Sequence, residues 1–527
     1  MSLSRVLAIA SADLRARLRR PGTLVFLALL LAAASTTFPD PSSGRGILTI
    51  GGRRAVYTSA ALAVATAGLI PIFLGLFGFY AVSNAVALDR RSGAGRLFAA
   101  SPATDAEYLL GKLSGNVSLL SVVTLAFSAV VMAVQVVHAE APLEPLVFLA
   151  HVLVVALPAI FGIAVFALLF ECVPFLAGRF GDVAFFFFWA VALALPVFLG
   201  AVDAGEYPPL AAALDWNGLG FLITEIRRAT GSGSMSIGWG GAAAPGPPIV
   251  FPGFSFSPAT LAARALAFLP PLALLPVALL AFDRFDPARR LASASTRPSL
   301  LARLSGAFRP AAARILAVAV PPERPAAKPG LLSAALTDLL VTLRLRPLLV
   351  VALPVSATVA LFVPPGPARA LLSGAFALLA LLLADVWTRE ESTGLARVLA
   401  ATPGAGGRLA AVKLLSAAGT ALLLLVPLAA KSAVARPLAL PAAVAGALFA
   451  AALAVALGQA TGSPKPFVGL LLAAWYVAAN DGGRTPALDL AGFTGAATAA
   501  SIAGWLLAAA LVGAGALLLE KVRLARA

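Results

Sequence analysis

The sequence predicts an all-α polytopic membrane protein, with about twelve transmembrane helices arranged as two parallel six-helix repeats. Three observations predict this fold class. The chain of 527 residues is 60% hydrophobic and only 12% charged, whereas soluble domains carry about 25% charged residues. Apolar runs of about 20 residues, the length that crosses a hydrocarbon core, recur along the whole chain. A charged, turn-rich segment between two of these runs also occurs twice.

The apolar runs divide into two sets of six. They are centred near residues 30, 70, 125, 158, 192 and 271, and then near 356, 378, 422, 450, 473 and 507. If the N-terminus is inside, the inner segments hold 29 of the 39 lysines and arginines and the outer segments hold 10. Cytoplasmic loops of membrane proteins are enriched in basic residues. We therefore predict a multi-pass protein of the bacterial inner (plasma) membrane with both termini in the cytoplasm.

The same bias accounts for the formal net charge of +16, so we do not predict nucleic-acid binding. The single cysteine, Cys172, excludes an internal disulfide, and we interpret it as a packing residue at a helix end. The two histidines, His138 and His151, have no third ligand nearby in the sequence, so no metal site is predicted.

Each half begins with a short basic segment that ends in Arg-Pro before a span. The first contains SADLRARLRRPGTLVF, and the second is LTDLLVTLRLRPLLVV, residues 336–351. In the first segment, apolar residues such as Val6 and Leu14 interleave with Arg15 and Arg17. This pattern favours a helix along the inner membrane interface, with its arginines towards anionic headgroups. The alternative is a positively charged flank without a helix of its own.

The two turn-rich segments are copies of one another. The first repeated loop is VALDRRSGAGRLFAASPATDAEYLLGKL (residues 86–113), and the second is VWTREESTGLARVLAATPGAGGRLAAVKLL (residues 386–415). A shift of 301 positions aligns Gly93 with Gly394, Arg96 with Arg397, Pro102 with Pro403 and Lys112 with Lys413. Each loop falls between the second and third spans of a half, which indicates a tandem duplication. Because six is even, the two repeats have the same orientation in the membrane.

The repeat defines three regions. Residues 1–282 form a first six-span unit, residues 283–330 a basic cytoplasmic linker that we interpret as flexible, and residues 331–527 a second six-span unit. Only the first unit carries a long outer segment, residues 203–259. Phe185 to Phe188 are expected to face lipid or neighbouring helices.

The sequence contains no internal source of energy for transport. Ion-coupled carriers place ionisable residues in the middle of spans, but here Arg264 and His151 fall at predicted outer ends. The chain also lacks the GxxxxGK[ST] phosphate-binding motif and the HExxH and GxSxG motifs of hydrolases. We therefore predict that the chain is not an enzyme, and that an external ATPase binds the two repeated loops.

The repeated loops resemble the cytoplasmic loop of ABC-2 type permeases, the membrane subunits of ATP-binding-cassette (ABC) exporters. That loop has an acidic residue, a glycine and a hydrophobic-x-x-x-Pro group, followed by hydrophobic-Gly-Lys. TREESTGLARVLAATP matches the first part through Glu391, Gly394, Leu399 and Pro403, and EYLLGK matches the second through Leu110, Gly111 and Lys112.

Each copy departs from the pattern at one position. Val412 stands in the second copy where the glycine before the lysine is expected, and Arg90 stands in the first copy at the position of Glu391. These departures predict that the two loops engage a partner unequally.

The resemblance implies further features. It implies a connecting helix on the membrane interface (residues 3–20 and 332–346) and a short coupling helix in each loop that rests on an ATPase subunit. The partners would be two copies of an ABC-type ATPase, which would bind ATP and Mg²⁺, together with membrane lipid; this chain would hold no cofactor. The substrate would leave the cytoplasm, and the lack of mid-span charge favours a lipidic or amphipathic one. The candidate ATPase-coupling residues are Gly93, Arg96, Pro102, Lys112, Glu391, Gly394, Arg397, Pro403 and Lys413.

Three alternatives remain open at the level of sequence. The basic side chains of the loops could anchor to lipid headgroups instead of an ATPase. The chain could be an ion-coupled secondary carrier built from two parallel six-span halves, or a membrane scaffold that transports nothing.

Overall fold

A computed structural model describes residues 2–19, 38–199, 207–232, 234–238, 246–286, 300–319, 330–390 and 408–526, together with residues 23 and 27. The described chain is mostly helical and forms two compact units, Met1–Ser295 and Thr296–Ala527. Among the described residues, eight helical segments are long and apolar enough to cross a membrane. The protein is therefore a polytopic, predominantly helical membrane protein.

The part of the first unit that the structure describes contains twelve helices and one small sheet. The helices are α1 (Leu3–Leu18), α2 (Ser59–Phe73), α3 (Phe79–Val82), α4 (Ala85–Ser92), α5 (Ala94–Ala99), α6 (Asp105–His138), α7 (Pro145–Cys172), α8 (Arg179–Phe198), α9 (Pro209–Leu214), α10 (Leu219–Thr230), α11 (Pro258–Leu266) and α12 (Leu269–Ala281). The strands are β1 (Leu48–Ile50), β2 (Arg53–Arg54) and β3 (Met235–Ile237).

The second unit contains eight helices in the part of the chain that the structure describes. They are α13 (Leu300–Ala319), α14 (Leu331–Arg344), α15 (Pro347–Phe362), α16 (Pro365–Leu382), α17 (Leu409–Ala433), α18 (Ala439–Thr461), α19 (Lys465–Asp481) and α20 (Ala499–Arg526).

Eight of the twelve predicted spans coincide with these candidate membrane helices. The matching segments are Ser59–Ser92, Asp105–His138, Pro145–Cys172, Pro258–Ala281, Pro365–Leu382, Leu409–Ala433, Ala439–Thr461 and Ala499–Arg523. The span predicted near residue 356 is α15, which meets α14 at a bend of 94°. A right-angled pair of this kind is the geometry expected for an interfacial helix followed by a span.

Three predicted spans have no such match. The span centred near residue 30 falls largely outside the described residues. The one near 192 is α8, whose apolar part, Phe180–Pro196, is shorter than the other spans, and the one near 473 is α19, which has 17 residues. Because Ala and Gly contribute little hydrophobicity, the limits of an apolar run in this sequence do not fix the limits of a helix.

Close helix contacts in the first unit depend on particular small residues. A five-residue π-helical turn, Leu74–Gly78, joins α2 to α3. A Cβ on Gly75 in this turn would lie 1.9 Å from Nε1 of Trp189 on α8, so only glycine allows this approach. Next to it, the rings of Phe79 and Phe185 are stacked. Phe185 thus packs against a neighbouring helix, whereas Phe187 and Phe188 are exposed at the surface of the first unit.

The predicted outer segment of the first unit is folded onto the membrane helices. Strand β1 pairs antiparallel with both β2 and β3, in the order β2-β1-β3. The sheet therefore joins residues 48–54, which precede α2, to residues 235–237 of the outer segment. Ile237 and Leu222 of that segment reach Gly68 of α2, so this part of the segment packs against a span.

The linker contains a helix, so its interpretation as a flexible connection is wrong for residues 300–319. Within α13, Ala312 is buried, and the helix packs against α15. Packing against a partner helix stabilises a helix, although Pro and Ser are abundant around this one.

Candidate functional site

The first repeated loop begins at a fixed break after the second membrane helix. Asn84 has a φ of 96° and ends the preceding helix. The carboxylate of Glu171, at the far end of α7, then accepts four backbone N–H groups of residues 84 to 87, at 2.5 to 3.0 Å. A carboxylate at a helix N-terminus satisfies its free N–H groups and stabilises its dipole. The start of α4 is therefore fixed in place by the end of α7.

A second turn, at Gly93, separates α4 from the short helix α5. The φ of Gly93 is 81°, a conformation that favours glycine. A six-residue helix, Ala94–Ala99, thus lies at the place where the resemblance implies a coupling helix. Its Arg96 is exposed, and the side chain of Leu97 is 77% exposed. Exposed apolar side chains beside a cation are common in surfaces that bind other proteins.

The end of the loop is bonded to the N-terminal helix. Thr104 and Glu107 form a capping box at the start of α6. Glu107 also accepts a hydrogen bond from the backbone N–H of Ser2 and forms an ion pair with Arg5 at 3.3 Å. Arg5 donates as well to the carbonyl of Pro102, at 3.2 Å. Helix α1 is thereby joined to the residues that follow α5.

Residues 282–286, just after α12, pack against the same loop. Arg284 pairs with Asp105 at 2.6 Å and donates to the carbonyl of Ala103 at 3.1 Å. Arg90 pairs with Asp283 at 2.8 Å, so this departure from the family pattern has an acidic partner within the chain. The ring of Phe285 lies against Gly95 of α5, with no room for a Cβ there.

Lys112 is buried at the centre of these contacts. Its ammonium group lies 2.9 Å from Asp13 Oδ1 on α1 and 2.7 Å from Asp89 Oδ2 on α4. Tyr108 donates to the same Asp89 oxygen, at 2.7 Å. Three elements, α1, α4 and α6, therefore meet at one ion cluster, which we call the Lys112 cluster (Asp13, Asp89 and Lys112).

Arg17 extends this cluster to the end of the second membrane helix. Its guanidinium pairs with Asp13 at 2.6 Å and donates to the carbonyl of Val82 at 2.9 Å. The last carbonyls of a helix lack intrahelical partners, and Arg17 supplies one. Burial opposes the charge of Asp13, but Arg17 and Lys112 outweigh burial and hold the pKa of this carboxyl below its ordinary value of 3.8.

The second unit contains an equivalent cluster around Lys413. Its ammonium group lies 2.8 Å from Asp338 Oδ1 on α14 and also pairs with Glu390. Glu390 follows Asp89 by 301 positions, as Lys413 follows Lys112. We call these residues the Lys413 cluster (Asp338, Glu390 and Lys413).

The guanidinium of the second cluster comes from a different element. Arg389 pairs with Asp338 at 2.6 Å and donates to Thr342 at 2.8 Å. Thr342 lies four residues after Asp338, as Arg17 lies four residues after Asp13. In the first unit the arginine is on α1, whereas in the second it is on the repeated loop. Both arrangements place one guanidinium beside the same carboxylate.

The structure describes five of the nine candidate coupling residues. In the first unit, Arg96 and Pro102 are exposed, Gly93 is half-buried and Lys112 is buried; Lys413 is buried in the second. Both lysines are matched by carboxylates of this chain. The other four lie outside the described residues: Glu391, Gly394, Arg397 and Pro403.

Sequence reasoning missed the acidic partners of the two lysines and the exposed Leu97. The 301-residue shift aligns Asp89 with Glu390, so a search of the two loops for acidic residues would have found that pair. Asp13 and Asp338 align only at a shift of 325 positions, one residue out of register with the two Arg-Pro pairs, so the sequence gives a weaker signal for them. No comparable signal marks Leu97, because leucine is abundant throughout the chain.

A buried charged pair joins α11 of the first unit to the predicted outer segment, and the sequence did not predict it. Asp215 and Arg264 are buried, and their charged groups approach to 3.9 Å. Arg264 also donates to the carbonyl of Val155, at 3.1 Å, ten residues after the start of α7 and hence about 15 Å along it. Arg264 is therefore an internal residue, and the outer segment carries a carboxylate into the helical body.

The remaining residues singled out in the sequence occupy packed positions. His151 lies against the rings of Phe254 and Phe256, His138 packs on Tyr57, and Cys172 is buried at the end of α7.

Comparison of the chain with protein-family models, with curated proteins and with solved structures finds no match. The functional argument therefore depends on the geometry of the chain alone.

Proposed function

We propose that the chain is the transmembrane permease subunit of an ABC exporter, energised by a separate ATPase subunit that binds the repeated loops. The observation that carries this proposal is the surface of α5. Arg96 and Leu97 are exposed on a helix whose two flanks are fixed by the Lys112 cluster and by Arg284. A rigid, exposed element attached to several membrane helices is suited to receive movement from a partner.

The paired clusters support the tandem duplication and the twelve-helix, two-repeat architecture. Lys112 and Lys413 each pair with a carboxylate on an interfacial helix and with a carboxylate at the end of a span. Two such loops would bind two copies of the ATPase. Both termini would be cytoplasmic, in a bacterial inner membrane.

The contacts suggest how movement would spread. A displacement of α5 would act through Asp89 and Lys112 on α6 and through Asp13 on α1, because these groups are bonded to one another. Closure of the ATPase dimer on ATP would thus shift α1 and α6. The cargo would be lipidic or amphipathic and would leave the cytoplasm.

The test is the ATPase activity of the complex formed with a co-purified partner. Charge reversal at both loops (R96E with R397E) should reduce ATPase turnover in the complex by about tenfold or more, since an interface charge pair contributes on the order of 1.5 kcal/mol or more. The matched control is K521E, which reverses the charge of an exposed lysine at the predicted cytoplasmic end of α20. Purification without any ATP-binding-cassette ATPase, or equal losses in both variants, would contradict the proposal.

An ion-coupled secondary carrier is the second candidate, and the Asp215–Arg264 pair favours it. Ionisable groups inside a membrane protein are costly and often mark ion pathways. Asp215 Oδ1 and both polar atoms of Asn217 are buried without a hydrogen-bond partner in the described part of the chain. Uptake or efflux driven by an ion gradient in ATPase-free proteoliposomes, and lost in D215N, would establish this alternative.

A further inference from the structure

Two arginines of the second unit converge beside Gly495. Arg369, which is half-buried, is the fifth residue of α16, and Arg436, which is exposed, follows the end of α17. Their Nη1 atoms both lie within 2.8 Å of the point where a Cβ on Gly495 would sit. Arg436 also donates a hydrogen bond to the carbonyl of Gly495. Two side chains that always carry a positive charge therefore point to one place.

No carboxylate of the described chain pairs with either arginine. Asp481 and Asp489 are the acidic residues of the neighbouring segments, and both are bonded elsewhere. Asp481 accepts hydrogen bonds from Thr485, and Asp489 accepts three backbone N–H groups of residues 494, 496 and 497. In addition, Nε of Arg369 is buried without a hydrogen-bond partner among the residues described. The positive charge at this point is thus not neutralised by a carboxylate of the described residues.

The helix dipole adds to this charge. Arg369 lies in the second turn of α16, an 18-residue helix, near the end where the dipole is positive and a cation is unfavourable. Like charges held close together repel one another. An anion would remove both penalties, because guanidinium groups and helix N-termini each bind oxyanions.

We propose that Arg369 and Arg436 form an anion-binding site that takes a phosphate group. The site lies at the ends of two candidate spans, Pro365–Leu382 and Leu409–Ala433, on the side predicted to face outward. Lipid headgroups lie at this depth, so the phosphate of an anionic phospholipid and free inorganic phosphate are two sources of the same chemistry. The site goes beyond the proposed coupling to an ATPase and does not depend on it.

The test is the thermal stability of the purified full-length chain in nonionic detergent. One arm titrates inorganic phosphate against chloride at matched ionic strength, and the other titrates phosphatidylglycerol against phosphatidylcholine in mixed micelles. At least one probe should raise the unfolding temperature. R369Q and R436Q should each raise the half-effective concentration by about tenfold, as expected for loss of a charge-assisted hydrogen bond.

The matched control is R484Q, because Arg484 is exposed in the same region of the second unit and the chain is basic overall. It should respond as the wild type does, and the R369K and R436K variants should keep most of the effect if the folded protein is intact. Stabilisation by inorganic phosphate identifies a free oxyanion, and stabilisation by phosphatidylglycerol alone identifies a headgroup. No effect of either probe, or an equal loss in R484Q, would overturn the proposal.

Discussion

At the scale of single residues, the two buried lysines determine how the repeated loops are attached. Lys112 binds Asp13 and Asp89, and Lys413 binds Asp338 and Glu390. The lysines and their loop carboxylates, Asp89 and Glu390, occupy aligned positions of the repeat, but the repeat does not show that Asp13 and Asp338 meet them. Each partner lies on another element, and the sequence does not show which elements meet.

Removing one ammonium group should therefore destabilise the first unit. K112M would leave Asp89 without its ion-pair partner and the buried Asp13 with Arg17 alone; removing one partner of a buried pair typically costs about 3–5 kcal/mol. Denaturant unfolding in mixed micelles measures this loss. K521M, at an exposed lysine, should change stability by less than about 0.5 kcal/mol.

A double variant separates the ion cluster from other causes. D13N with K112M should lose less stability than the sum of the two single losses, because both changes disrupt one interaction. Strictly additive losses, or a K112M variant as stable as K521M, would show that the cluster contributes little.

At the scale of elements, the contact between α1 and α6 depends on glycine. A Cβ on Gly111 would lie 2.7 Å from Ile9 of α1, and Gly115, one turn further, also faces α1 near Asp13. The second unit has Val412 and Ser416 at these positions. Helix α14 therefore cannot pack on α17 in the same way, although it carries a carboxylate of the equivalent Lys413 cluster.

The substitution G111A tests this packing. It should destabilise the first unit by about 1–3 kcal/mol through overpacking, and it should increase hydrogen exchange in α1. The control is G504A, because Gly504 lies within α20 with nothing near its missing Cβ. That change should be neutral or stabilising by up to about 1 kcal/mol. If G111A behaves like G504A, α1 is not closely packed on α6.

At the scale of the whole molecule, hydropathy predicted the membrane class and eight spans. It could not predict where Asp215 and Trp216 lie, because the segment around them is rich in Gly and Pro and has no clear periodicity. The structure places Trp216 against Phe166 of α7, well inside the helical body. It could not predict α13 either, since its apolar face is short and lies in a basic, Pro-rich region. In both cases, contacts with segments distant in the sequence determine the structure.

The central claim is that an ATPase binds the surface of α5, and site-specific cross-linking tests it most directly. Cys172 is buried and is the only cysteine of the chain, so L97C introduces one accessible thiol for a photoreactive maleimide. In membranes of the native cell, this variant should capture an ATP-binding-cassette ATPase. L146C, at an exposed leucine on the predicted outer end of α7, should not. Capture of no such ATPase by L97C, or equal capture by both variants, would contradict the account.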